Sequence, residues 1–145
     1  MKTMLCAHLL AVTLGCASPV LAQTYPADPG DFTDVSMIKV LPGGDLAYTQ
    51  FLATEWKKQQ EFAKSQGWIK SYKVMSNLYP REGEPDLYLM VTYADMPNAE
   101  ELMKQRNAYL AWQKKSLRTL DQESGDRGKF RTMVGSMLWG EVLLK

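Results

Sequence analysis

Lys39, Lys73, Asn77, Tyr88 and Glu141 are the residues whose types and spacing could do chemistry. Lys, Tyr and Glu can each give or take a proton, and Asn can donate a hydrogen bond to a developing charge. Each stands in a segment that alternates like a strand, at positions of one parity, so all five should project from one side of a sheet. Met37, Met75, Met90 and Trp139 share that side, as do Met133 and Met137. Methionine is flexible and polarizable, and polar groups among apolar ones suit a ligand pocket. The candidate ligand-binding set is therefore Met37, Lys39, Lys73, Met75, Asn77, Tyr88, Met90, Trp139 and Glu141.

Other chemistries are excluded by what residues 23–145 lack. Both cysteines, Cys6 and Cys16, and the single histidine, His8, fall within the first 22 residues. The remainder cannot build a disulfide framework, a Cys/His zinc site or a His-ligated haem. Thiolate and Ser-His catalysis are excluded with them. No metal site and no resident cofactor is expected, and catalysis would fall to Asp, Glu, Lys, Tyr, Arg or amides.

Those first 22 residues read as an export signal. Lys2 is followed by the short apolar run Met4–Leu14, then by Pro19 and Val20-Leu21-Ala22, a pattern that signal peptidase cuts. Processing after Ala22 predicts a periplasmic or secreted protein starting at Gln23, with no stable membrane span. Thr13-Leu14-Gly15-Cys16 resembles a lipobox, with Thr13 where Leu is usual, so a lipoprotein is the rival reading. Loss of Lys2 from the 17 Lys and Arg leaves a balance with the 16 Asp and Glu. A neutral chain gives no reason to expect a nucleic-acid partner.

The elements that must position the candidate residues follow in order. Residues 23–32, with Pro26, Asp28, Pro29, Gly30 and Asp31, should form an irregular lead-in. Residues 33–41 predict a first strand, ended by Pro42-Gly43-Gly44. A plain strand-to-helix turn is expected at Gly43-Gly44, since no phosphate-loop pattern surrounds it. Asp45 should cap a helix that runs to about Gln66, with Gly67 as a left-handed terminator. Residues 68–79 predict a second strand, and 80–85 a polar hairpin loop. The third strand, Leu87 to Ala94, is apolar on both faces and bounded by Pro85-Asp86 and Asp95-Met96-Pro97, which marks a central position. Asn98 should cap a second helix reaching about Leu120, with Glu100 and Glu101 in its first turn. Residues 121–129 read as a polar loop, and 132–144 as a last strand bent at Gly135 or Gly140.

Strand-helix-strand twice, joined by a hairpin, predicts an α+β domain over 33–145. Its form is a ferredoxin-like βαββαβ sandwich, with a four-stranded antiparallel sheet and two helices on one face. Right-handed crossovers give the strand order 4-1-3-2. By this element order, residues 33–144 resemble the dimeric α/β-barrel superfamily. The resemblance implies a homodimer whose sheets face each other around a cavity. It also implies kinship with cofactor-independent oxygenases and with haem-handling enzymes, whose haem-degrading members rely on a His that residues 23–145 lack.

The two sheet faces should differ. Ile38, Val40, Trp68, Tyr72, Val74, Leu78, Leu87, Leu89, Val91, Tyr93, Val134, Leu138 and Val142 suit packing under helices. The methionine face is too apolar to stay wet, which predicts a two-fold dimer in which Met90 and Trp139 lose solvent access. Glu55 and Arg106, each in the inward stripe of its helix, would meet as an ion pair between the helices. The function expected from these features is an exported homodimer that binds a small, partly apolar ligand on the methionine face. The rivals are a cofactor-independent oxygenase or isomerase, with Tyr88, Lys73 or Glu141 as acid-base groups and Asn77 as donor, and a structural or partner-binding protein without a ligand.

Overall fold

A computed structural model describes residues 24–93 and 95–145. The export signal, the Val20-Leu21-Ala22 cleavage pattern and Cys16 lie outside the described residues. The chain is α+β. Four strands, β1 (Ala27–Val40), β2 (Ser71–Ser76), β3 (Leu87–Tyr93) and β4 (Arg131–Leu144), form one antiparallel sheet in the order β2-β3-β1-β4. Read from the other edge, this is the order 4-1-3-2 that the sequence predicts. Between β1 and β2 runs one continuous helical rod: α1 (Asp45–Phe51), a π-helical turn (Leu52–Trp56) and α2 (Lys57–Ser65). Between β3 and β4 lie α3 (Ala99–Gln113), α4 (Leu117–Asp126) and a short 3-10 turn (Arg127–Lys129).

The core sits where the first rod crosses the interior strands. Ile38 of β1, Leu89 of β3, Tyr48 of α1 and Leu52 of the π turn are buried together, with Val40, Phe51, Trp56, Leu87 and Phe130 packed around them. These are the apolar positions of one strand parity and one helix stripe, and each removes large apolar area from water. A second aromatic contact joins α2 to α3. Phe62 stacks on Trp112 at 4.3 Å between centroids and meets Trp68 edge-on at 5.3 Å.

Several boundaries depart from expectation. β1 begins at Ala27, inside the expected irregular lead-in. From Ala27 to Pro29 it pairs with Leu144 to Val142 of β4, whereas β3 reaches only to Phe32, so this stretch has a free edge. Pro29 needs no partner for its missing N–H there, and Gly30 and Asp31 fall in a register shift. β2 is shorter than 68–79 because Trp68 turns away to pack on Phe62. The N-cap of α1 is Gly44, without a side-chain bond, and Asp45 is the first helical residue. A Cβ on Gly44 would collide with the carbonyl of Phe130, whose oxygen also accepts the Leu41 N–H at 3.0 Å. Gly67 does take the left-handed conformation, with φ 72°.

Asn98 caps α3 with a full capping box, its side chain accepting the Glu101 N–H at 3.0 Å while Glu101 accepts the Asn98 N–H at 2.8 Å. The expected run to Leu120 stops earlier. Lys114 adopts φ 53°, which breaks the helix, and Ser116 starts a new one by accepting the Thr119 N–H at 3.2 Å. The expected loop over 121–129 is mostly α4 and the 3-10 turn.

The core contact gives a direct stability test. Tyr48→Ala should cost about 3–5 kcal/mol, the range for removing a buried aromatic side chain. Urea unfolding followed by circular dichroism should show a lower midpoint with an unchanged slope. A midpoint within error of the parent would mean that Tyr48 does not hold the rod to the sheet.

Candidate functional site

The register fixes which side chains share the open side of the sheet, opposite the core. Met37 pairs with Tyr88, and Tyr88 with Met75. Val35 pairs with Met90 on one side and Met137 on the other, and Met90 pairs with Lys73. Thr33 pairs with Thr92 and with Trp139. Cross-strand partners stand on one face, so Thr33, Val35, Met37, Lys73, Met75, Tyr88, Met90, Thr92, Met137 and Trp139 form one surface. Gly135, opposite Met37, is part of it: a Cβ there would meet the Met37 methyl at 2.9 Å. The missing side chain lets Met37 lie across β4.

The middle of this face is closed and its flanks are open. Val35 is fully buried and Met90 is 7% exposed, whereas Met75 is 50%, Met137 36% and Trp139 47% exposed. Met90 thus has little access left to lose. The indole N–H of Trp139 donates to the Met137 sulfur at 2.7 Å, which holds the ring against the strand. At one end of the face, Asp31, Thr33, Thr92, Trp139, Gly140 and Glu141 line a cleft of about 410 Å³. The Thr33 and Thr92 hydroxyls lie 3.1 Å apart, and Glu141 accepts the Asp31 N–H at 3.3 Å. Lys70 pairs with Asp31 at 2.7 Å beside it.

Three expected residues have other arrangements. Met133 is a correction. The β1–β4 register shifts between Met37/Gly135 and Ile38/Met133, so Val134 is an extra residue. Met133 then lies across from Ile38, on the core side, and leaves the methionine face. Lys39 is tied down by the hairpin loop, donating to the Asp86 carboxylate at 2.8 Å and to the Glu84 carbonyl at 3.2 Å. Asn77 braces the same loop, donating to the Pro85 carbonyl at 3.3 Å and accepting the Tyr79 N–H at 3.3 Å. Of the nine, Met37, Met75, Tyr88 and Met90 form one patch with Lys73 at its β2 edge, and Trp139 and Glu141 share the end cleft.

The expected pair of Glu55 and Arg106 is not formed. Arg106 is exposed on α3. Glu55 instead lines a cleft of about 300 Å³ with Phe51, Gln59, Lys115, Glu123 and Arg127. The break at Lys114 is the cause, because it folds α4 back and brings Lys115 and Arg127 to the first rod. Lys115 bonds Glu123 at 2.6 Å, which raises its pKa, and Arg127 lies over the Phe51 ring at 4.6 Å. Burial, with Arg131 nearby, lowers the pKa of Arg127.

Sequence reasoning also missed an apolar cleft on the core side, between the π turn and β2. Its signal was present as Thr49, Leu52, Ala53 and Trp56, spaced like one helix face with a small residue in the middle. Among the described residues, no group of three or more His, Cys, Asp or Glu is placed to hold a metal ion. Among them, too, no helix is long and apolar enough to cross a membrane. Comparison with models of protein families, with curated proteins and with solved structures gives no match to this chain.

Asp86 links the loop to β1 through Lys39 and the Val40 N–H. Burial alone would raise its carboxyl, but the bonds from Lys39 and from the Val40 N–H outweigh burial and hold it below its ordinary value of 3.8. A depressed carboxyl stabilises the fold above its unfolded-state pKa, and that contribution is lost as pH falls through the folded value. Thermal midpoints should therefore fall from about pH 5 downward. In Asp86→Asn that acid-side slope should be shallower. Identical slopes would show that the Asp86 charge does not stabilise the fold.

Proposed function

We propose that the chain works as an exported homodimer whose two open sheet faces enclose a small, partly apolar ligand. The observation that carries this reading is the open face itself. A buried centre of Val35 and Met90 is flanked by Met75, Met137 and Trp139, which remain exposed although they are large and apolar. Continuous apolar surface of that kind marks an interaction or ligand site. Among the described residues, the helices make their core contacts on the other side of the sheet, so a second copy is the simplest cover. Methionine side chains can repack around more than one shape, and the end cleft adds hydroxyls and a carboxylate for orientation.

The ferredoxin-like βαββαβ arrangement, with its helices on one side of the sheet, supports the same reading. It leaves one face of each sheet free for pairing as in the dimeric α/β-barrel superfamily. Val20-Leu21-Ala22 supports processing to a periplasmic or secreted form. The oxygenase or isomerase reading has less support, since Asn77 is engaged in bracing the hairpin loop.

Trp139, rather than the already covered Met90, is the position at which to test the contact. Light scattering at micromolar concentration should give the mass of two chains. Trp139→Glu would place a charge in the contact and should give single chains with unchanged helical circular dichroism. Native mass spectrometry of the protein from its own host should find the dimer with a small molecule retained. A monomeric parent, or a Trp139→Glu dimer of parental stability, would refute the pairing. A dimer that carries no ligand would leave the pairing and remove the ligand.

A further inference from the structure

The core-side cleft lies on the opposite face of the sheet from the dimer surface and has a volume of about 380 Å³. Its helix wall is Leu52, Ala53 and Trp56, and its sheet wall is Tyr72, Val74 and Leu87. The volume is that of a small-molecule pocket, and the walls are almost wholly apolar. Two features keep it open. Ala53 lines the cleft from an exposed position beside the buried Leu52, where a larger side chain would fill the gap. Val74 faces the helices from β2 yet stays 40% exposed, so this part of the sheet lacks a cover. The walls are also held in place. Trp56 meets Tyr72 edge-on at 5.4 Å between centroids, and the Tyr72 hydroxyl donates to Glu61. The helix wall is the π turn, a distortion that recurs at functional sites.

Charge identifies the ligand class. Lys57 stands at the cleft, and among the described residues it has no carboxylate within ion-pair distance. We propose that this cleft binds an amphiphilic carboxylate, a slim aliphatic or aryl chain laid along Leu52, Ala53, Val74 and Leu87 with its carboxylate on Lys57. The chain supplies apolar area to a surface that now faces water, and the carboxylate gives Lys57 a charge-assisted partner. The proposal stands apart from the dimer, because no residue of the cleft belongs to the open face.

Decanoate is the probe, titrated into the processed full chain by calorimetry and by tryptophan fluorescence. Saturable binding of one decanoate per chain is expected. 1-Decanol and decyltrimethylammonium should bind at least about tenfold more weakly. Lys57→Gln, a substitution at an exposed position, should weaken decanoate by a similar factor and leave 1-decanol unchanged. Ala53→Phe should fill the cleft and abolish binding without lowering the thermal midpoint. Absence of saturable decanoate binding would overturn the proposal, as would equal binding of all three probes. Full decanoate affinity in a folded Ala53→Phe, or in Lys57→Gln, would place the site elsewhere and overturn it too.

Discussion

Tyr48 seated on Ile38 and Leu89 is the contact on which the rest of the structure depends. It joins the first helical rod to the two interior strands at once, and the ring is nearly inaccessible to water. Phe130 packs beside it, with ring centroids 6.0 Å apart, and the Phe130 carbonyl receives the N–H of Leu41. The end of β1, the start of α1 and the entrance to β4 therefore converge on one aromatic pair. Gly44 is required by this convergence, since there is no space for a Cβ against Phe130. With β1 held there, the register with β3 and β4 decides which side chains reach the opposite surface.

The two sides of the sheet then meet different demands. Under the first rod, Ile38, Leu87 and Leu89 are stiff and branched, which suits a single close-packed arrangement. On the open side, Met37, Met75, Met90 and Met137 are unbranched and can take several shapes at small cost. Trp139 adds a large ring, and Gly135 gives Met37 room to lie flat. The first side specifies the fold, and the second is built of side chains that adapt. The helical layer is itself incomplete, because Ala53 and the short β2 leave a groove beneath the π turn.

Much of this was legible in the sequence because it rests on short-range rules. Alternation in 33–40 and a turn-bounded run apolar on both faces in 87–93 located the interior strands, Asn98 with Glu100 and Glu101 marked a helix start, and Gly67 marked a helix end. Strand order followed from the handedness of crossovers. What was not legible depends on long-range partners. Pro29 reads as a loop, yet β4 pairs with it on one side while the other edge, beyond the reach of β3, stays free. Lys114 carries no signature of a left-handed residue, so the two short helices read as one longer one, and Glu55 was matched to Arg106 instead of facing Lys115. The π turn adds one residue to a helix without altering its composition. Of the candidate residues, parity put Met37, Met75, Tyr88 and Met90 on one face, while Lys39 and Asn77 were claimed by a hairpin loop whose conformation alternation cannot show.

The extra residue at Val134 means that β4 carries its in-and-out alternation in two phases. Residues 135–140 follow one phase, with Met137 and Trp139 on the open side, and 131–133 follow the other, with Met133 toward Ile38. Each half of the strand can therefore answer to a different neighbour: the first half to Phe130 and the rod, the second to the adaptable surface. If every residue here were paired in turn, with no bulge, the halves would share a single phase. Met133 would then turn out to join the other methionines, and Arg131 would cross to their side as well. The bulge thus acts as a slipped tooth that keeps a guanidinium off the apolar face while leaving the strand unbroken.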